Sequence, residues 1–186
     1  MTSVFIGGSR DISRLNDEIK SRINNIIQQS YTVLIGDANG ADKAAQKFLF
    51  ESHYSQVIVF CAGRFCRNNI GKWPINNIDA PHKTNGFEFY ALKDMEMAKI
   101  ADFGFMLWDG KSAGTLNNIF ALLRLHKKCL VFFSPGKAFF TISTLSELQN
   151  LLQKCNPEAV HKIDSKIHIE KLIENISAPE QISLSI

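Results

Sequence analysis

Phe103-Gly104-Phe105-Met106-Leu107-Trp108 runs without a polar side chain and then gives way to Asp109-Gly110-Lys111-Ser112-Ala113-Gly114-Thr115. A strand with one wet face alternates apolar and polar residues, whereas a strand covered on both faces does not. The run therefore reads as an interior strand of a parallel sheet. The polar segment behind it reads as the loop into a helix, which Ile119, Phe120, Leu122, Leu123 and His126 mark by their spacing.

The same grammar repeats on either side. Val4-Phe5-Ile6 stops at Gly7-Gly8-Ser9-Arg10, and a helical pattern follows through Leu15, Ile19, Ile23, Ile26 and Ile27. Thr32 to Ile35 ends at Gly36-Asp37, and Ala41, Ala44, Ala45, Phe48 and Leu49 form the next helical face. Gln56 to Phe60 is a third strand, and Phe87 to Ile100 a helix with Phe87, Tyr90, Ala91, Asp94 and Ala98 on one face. Cys129 to Phe133 is a fifth strand, and Phe139 to Ile142 a short sixth. Thr144 with Glu147 has the spacing of a capping box and opens a helix through Leu152. Residues 164 to 175 have the pattern of one more amphipathic helix, and the last ten residues read as frayed. Residues 61 to 85 lack periodicity, and a loop of that length in a compact domain is usually functional or mobile.

Strands alternating with helices predict an α/β fold, a Rossmann-like doubly wound parallel sheet of about five strands with helices on both faces. We expect residues 1–155 to form that domain and 156–186 to be an extension, a helical arm or tail. In such a sheet ligands bind beyond the carboxyl ends of the strands, where the strand order reverses. For the order 3-2-1-4-5 that point lies between the first and fourth strands, so Gly7, Gly8, Ser9 and Arg10 should meet Asp109 to Thr115 there. Asp37, Asn39, Gly40 and Asp42 leave the second strand on the same rim. Glycines admit a ligand close to the backbone, and helix N-terminal amides attract anions such as phosphate.

The 186 residues are 45% hydrophobic and 21% charged, with a net charge of +3, enough for one domain with a real core. A dedicated nucleic-acid binder usually carries a denser basic patch, so nucleic acid is not among the expected partners. No apolar run is long enough to span a membrane, and no signal-peptide pattern opens the chain, so we expect a cytoplasmic protein. The four cysteines are scattered and are expected to be reduced. Cys61-x4-Cys66 lacks a second ligand pair, and the histidines have no metal spacing, so neither a metal nor a cofactor is expected. The G-x-G-x-x-G and P-loop fingerprints are both missing, which disfavours a dinucleotide oxidoreductase and a P-loop ATPase. Phe132, Phe133, Phe139 and Phe140 make a dense apolar stretch, read as core or as the face of a homodimer.

Taken together, Gly7-Gly8-Ser9-Arg10, Gly36-Asp37 through Ala41-Asp42, and Ala101-Asp102 with Asp109-Gly110 and Gly114-Thr115 resemble the SLOG superfamily over roughly residues 3 to 152. That group includes the Lonely-Guy phosphoribohydrolases and the DprA/Smf DNA-processing proteins; nucleoside 2-deoxyribosyltransferases are similar more remotely. The resemblance implies the Rossmann-like sheet, a nucleotide or nucleoside-derived ligand and a dimer. It implies nucleotide-binding roles for Gly7, Gly8, Ser9, Arg10, Asp37, Asn39, Gly40, Asp42, Gly110, Ser112, Gly114, Thr115 and Asn118.

The catalytic glutamate of the Lonely-Guy enzymes, three residues after the Gly-Thr pair, is replaced here by Asn118. An amide is neither a carboxylate nucleophile nor a general base. Glu88, near the start of its helix, and Asp109, at the end of its strand, are the candidate catalytic carboxylates. Arg64, Arg67 and Lys72 are candidates to close on a phosphate, and Trp73 to stack on a base. Two functions stay open: cleavage or transfer at an N-glycosidic bond, and a non-catalytic nucleotide-sensing or binding module. A third, single-strand DNA binding by analogy with DprA, gains little support from the modest basic charge.

Overall fold

Ser3–Gly8 (β1), Thr32–Gly36 (β2) and Val57–Ala62 (β3) are the first three strands of the computed structural model, which describes residues 1–79 and 86–177. Ile75–Ile78 (β4), Phe103–Trp108 (β5), Cys129–Phe133 (β6) and Ala138–Ile142 (β7) complete one sheet of order β4-β3-β2-β1-β5-β6-β7. Neighbours pair parallel except β6 and β7, a hairpin joined through Lys137 in a left-handed conformation. The expected fold class holds, with seven strands rather than about five. Beyond the five-strand core stand the edge strand β4, taken above for part of an irregular loop, and β7 at the opposite edge, read above as a short sixth strand.

Each interior strand sends alternate residues to opposite faces, and both faces are apolar. Phe5, Leu34, Phe60, Met106 and Trp108 point into one apolar cluster; Val4, Ile6, Val33, Ile35, Val59, Phe105 and Leu107 point into another. Asp17–Gln28 (α1) and Ala41–Glu51 (α2) cover the second face. Gly86–Ile100 (α3), Ala113–Arg124 (α4) and Leu145–Leu152 (α5) cover the first. Phe132 and Phe133 are core, with Phe139 and Phe140 packed partly buried against them.

Local chemistry accounts for the element ends. Asn16 caps α1 by accepting the Ile19 N–H at 2.8 Å, and the Thr144–Glu147 capping box opens α5 in both directions. The expected single helix near the C-terminus is two, Pro157–Ile167 (α6) and Ile169–Ser177 (α7). His168 adopts φ 53° and ends α6, while Asp164 Oδ1 accepts the Ile169 N–H at 2.8 Å to start α7. Ile163, Ile167 and Ile169 are buried in the same cluster as α4. Residues 178–186, and His82 and Lys83 of the irregular loop, lie outside the described residues.

The cysteines differ from expectation. The sulfurs of Cys61 and Cys66 are in bonding contact, with their Cα atoms 5.2 Å apart, a separation suited to a disulfide. Cys129 and Cys155 are free and buried, and burial raises the Cys155 thiol to about 11.

Candidate binding site at the sheet's switch point

β1 lies between β2 and β5, so the chain leaves β1 toward one side and β5 toward the other. A cavity of about 520 Å³ opens at their carboxyl ends, within the size range of ligand pockets. Gly7, Gly8 and Arg10 line it from the β1 loop, Asp42 from α2, and Asp109, Ser112, Gly114, Thr115 and Asn118 from the β5 loop and α4. Loops distant in sequence thus converge as the topology requires, with Arg10 and Thr115 on one cavity.

Ser9 is completely buried beneath this wall and ties it together. Its N–H donates to the Leu107 carbonyl at 2.8 Å, its carbonyl accepts the Ala41 N–H at 3.1 Å, and its Oγ donates to Asp109 Oδ1 at 2.9 Å. Asp109 Oδ1 also accepts the N–H groups of Lys111 and Ser112 at 2.9 and 2.8 Å. Asp109 Oδ1 is therefore engaged in shaping the loop. Ser112 caps α4, its Oγ accepting from the Thr115 N–H and hydroxyl.

The remaining sequence-based candidates stand elsewhere. Gly110 lines a second cavity that shares Asp11, Asp109 and Lys111 with the first. Asn39 is exposed and accepts a hydrogen bond from Asn68. Glu88 is exposed in the first turn of α3 and does not line the cavity. Asp37 is buried and acts through Arg67: the Arg67 Nε and backbone N–H each donate to Asp37 Oδ2 at 3.0 Å, and Nη2 donates to Oδ1 at 2.5 Å. Burial alone would raise the Asp37 carboxyl, but the Arg67 hydrogen bonds and the Lys93 charge hold it below the usual range. Of Arg64, Arg67 and Lys72, Arg67 reaches the cavity. Trp73 does not offer a ring to a base: it is 7% exposed, and its indole N–H donates to the Tyr54 carbonyl at 2.9 Å.

α3 supplies what the sequence reading leaves out. Phe87, Tyr90, Ala91 and Asp94 line the cavity; their spacing on one helical face was visible, their role was not. The Tyr90 ring has the Arg67 guanidinium 4.3 Å and the Arg10 guanidinium 5.7 Å from its centroid. One turn deeper, Lys93 is 3% exposed, with Nζ donating to Asp94 Oδ1 at 2.5 Å. Asp94 Oδ2 accepts from Asn118 Nδ2 at 3.3 Å. Gly36 makes room for this buried charge, since a Cβ there would press on Lys93 Nζ and Asp42 Oδ2. Burial would lower the Lys93 ammonium, but Asp94 and Asp42 together hold it above its usual value. Asp42 is driven up to about 6 by burial, against the pull of Lys93 and of the Ala38 N–H and with the push of Asp94 and Asp37.

That shift has a consequence for stability. The folded chain binds a proton at Asp42 more readily than the unfolded chain does, so this group's effect favours folding at low pH and fades as pH rises from about 4 through about 6. Asp37 works oppositely, its contribution being present above the unfolded value and lost as pH falls. Asp42→Asn should therefore match wild type near pH 4 and exceed it above about pH 7, by up to about 3 kcal/mol from a shift of roughly two units. Urea unfolding at both pH values checks this, and a constant difference between them would reject it.

Comparison with known proteins places the fold. No family profile and no curated protein matches the chain. It shares its fold with DNA processing protein A. The similarity is to the Helicobacter pylori structure, with a TM-score of 0.56 and 14% identity, over 91% of this chain and 81% of that one. That DNA processing protein A structure is reported for its single-stranded DNA binding mode. Identity this low establishes the fold alone. The neighbour nevertheless overturns the expectation that set nucleic acid aside on the strength of modest net charge: a protein of the same architecture binds single-stranded DNA. Among the described residues no helix is long and apolar enough to cross a membrane.

Proposed function

We propose that the chain is a SLOG-type binding module that takes one nucleotide unit of a single-stranded DNA into the switch-point cavity, without turning it over. The observation that carries the reading is the Tyr90 ring held by Arg10 and Arg67 on the cavity wall. An aromatic face combined with guanidinium groups is how proteins grip single strands, the ring stacking on a base and the cations neutralising phosphate. Asp37 occupies two of the five N–H donors of Arg67 and fixes its plane, so the group meets a phosphate already oriented. Lys111 and Lys166 add positive charge around the same cavity.

Arg10 is exposed, so its removal tests binding without disturbing the core. Arg10→Ala should weaken a fluorescent single-stranded oligodeoxynucleotide about tenfold and reduce the slope of log K against log salt by about one. An unchanged slope in anisotropy titrations would remove Arg10 from the phosphate contacts. Tighter binding of a free nucleotide than of the oligonucleotide would redirect the reading to a nucleotide sensor.

One observation favours a second reading, cleavage at an N-glycosidic bond. Asp94 reaches Asn118 from the neighbouring helix, and so sets a carboxylate beside the position where Lonely-Guy enzymes carry theirs. Such a carboxylate can stabilise positive charge developing on a sugar. Under this reading nucleoside monophosphates release free base, seen by chromatography, and Asp94→Asn abolishes the release. No release from any of them by the wild type supports the binding module.

A further inference from the structure

We propose that Phe65 is a second stacking platform, which receives the nucleotide adjoining the one held in the cavity. This rests on the reading of the cavity as a single-strand site and extends it outward along the strand. Phe65 is 86% exposed, against 42–52% for Phe50, Ile75, Phe87 and Ile100. A phenyl ring so far in water is unfavourable unless a partner covers it, and it has no polar atom that could explain its position.

Its surroundings say what the partner is. Arg64 and Arg67 flank the Phe65–Cys66 pair in sequence, and Arg67 lines the cavity. Two residues of backbone span at most about 7 Å, so the Phe65 and Arg67 main chains lie within about one nucleotide of each other. An exposed aromatic on a loop that also carries Arg64 and Arg67 suits a phosphodiester with its bases unstacked, which can use the ring and the cations together.

The loop is also held in place. Cys61 is completely buried in β3, Cys66 packs against the core, and the link between them closes residues 62–65 into a short arc. The Gly63 N–H donates to the Ile78 carbonyl of β4 at 3.0 Å, and the Arg67 N–H donates to Asp37. An aromatic presented on a tethered arc loses little freedom when a base stacks on it.

The test compares wild type, Phe65→Ala and Phe65→Trp for two probes, a fluorescent single-stranded oligodeoxynucleotide and thymidine 5′-monophosphate. Because Phe65 is exposed, neither substitution endangers folding. Phe65→Ala should weaken the oligonucleotide about tenfold, within the roughly 5- to 150-fold range for loss of one stacked base. Phe65→Trp should retain or tighten it, and the mononucleotide, confined to the cavity, should bind all three proteins alike. If Arg10→Ala weakens the oligonucleotide and Phe65→Ala does not, the platform is overturned while the cavity reading stands. If Phe65→Ala weakens the mononucleotide equally, the ring belongs to the cavity and the second subsite is overturned. Should the wild type bind no oligonucleotide, the cavity reading falls and the platform with it.

Discussion

Lys93→Met should cost about 3–5 kcal/mol of folding stability at neutral pH, the penalty for removing one partner from a buried ion pair. The size follows from what the ammonium serves. Lys93 is 3% exposed and lies against Asp94, which is 18% exposed at the side chain, and its charge also acts on Asp42, a residue 5% exposed. Methionine fills similar volume and tolerates the apolar stem's surroundings, so the loss is electrostatic and not a cavity. Two carboxylates would then share a largely buried stretch of the cavity wall with no cation between them, with Asp37 already engaged by Arg67. One of them must take a proton or draw in water. The deficit should therefore shrink as the pH falls toward 5, where a carboxylate already raised to about 6 is protonated in the folded state. Urea unfolding across pH gives the answer. A second variant separates charge from packing: Asp42→Asn combined with Lys93→Met should recover part of the loss, because neighbouring sites of one network are not additive. A pH-independent deficit with no recovery would assign Lys93 a packing role instead.

The same cluster marks how far the sequence could be read. Interior strands are legible because burial on both faces leaves an unbroken apolar run, as in Phe103 to Trp108. Their order follows from the short connections and the right-handed crossover, which is why the meeting of the β1 and β5 loops could be anticipated. β4 was not legible. Its sequence, Ile75-Asn76-Asn77-Ile78, leaves the strand exposed or half-buried at an edge with one neighbour, so burial never shaped its composition. Lys93 was hidden for a different reason. A lysine on a helix reads as solvated, and what holds it inward is its pairing with Asp94, the charge of Asp42 on another helix and the space left by Gly36, the last two not visible from local pattern. Trp73 misled in the same way: an aromatic in an irregular loop suggests a ligand, but its indole found the Tyr54 carbonyl across the fold. The carboxylate question shows both limits. Asn118 was singled out from its place after the Gly-Thr pair, while Asp94, which stands beside it, was noted only as part of a helical face.

Gly40→Ala should destabilise the fold by about 2–6 kcal/mol, adding strain of roughly 1–3 to steric conflict of roughly 1–3. Gly40 stands just before α2 with φ 82° and ψ −127°, a region that a side chain makes inaccessible and that glycine alone enters without cost. A Cβ there would also collide with the backbone of Arg10, including its carbonyl oxygen. That is not the soft end of a flexible side chain, so the β1 loop itself has to move. The adjoining contact is the Ala41 N–H to the Ser9 carbonyl at 3.1 Å, and Ser9 in turn anchors Asp109 and the β5 loop. One methyl group would therefore shift Arg10 away from Tyr90 and loosen the wall on which the cavity depends. Oligonucleotide affinity should fall even in the fraction that folds, more than in Arg10→Ala, because the wall moves as well as the cation. Asparagine would not rescue the position, since its tolerance is for the left-handed helical region, where ψ is positive. Thermal unfolding and anisotropy titration of Gly40→Ala and Gly40→Asn measure the two effects. An alanine variant as stable as wild type would mean that the β1 loop yields freely, and that the geometry assigned to Arg10 is not enforced by the fold.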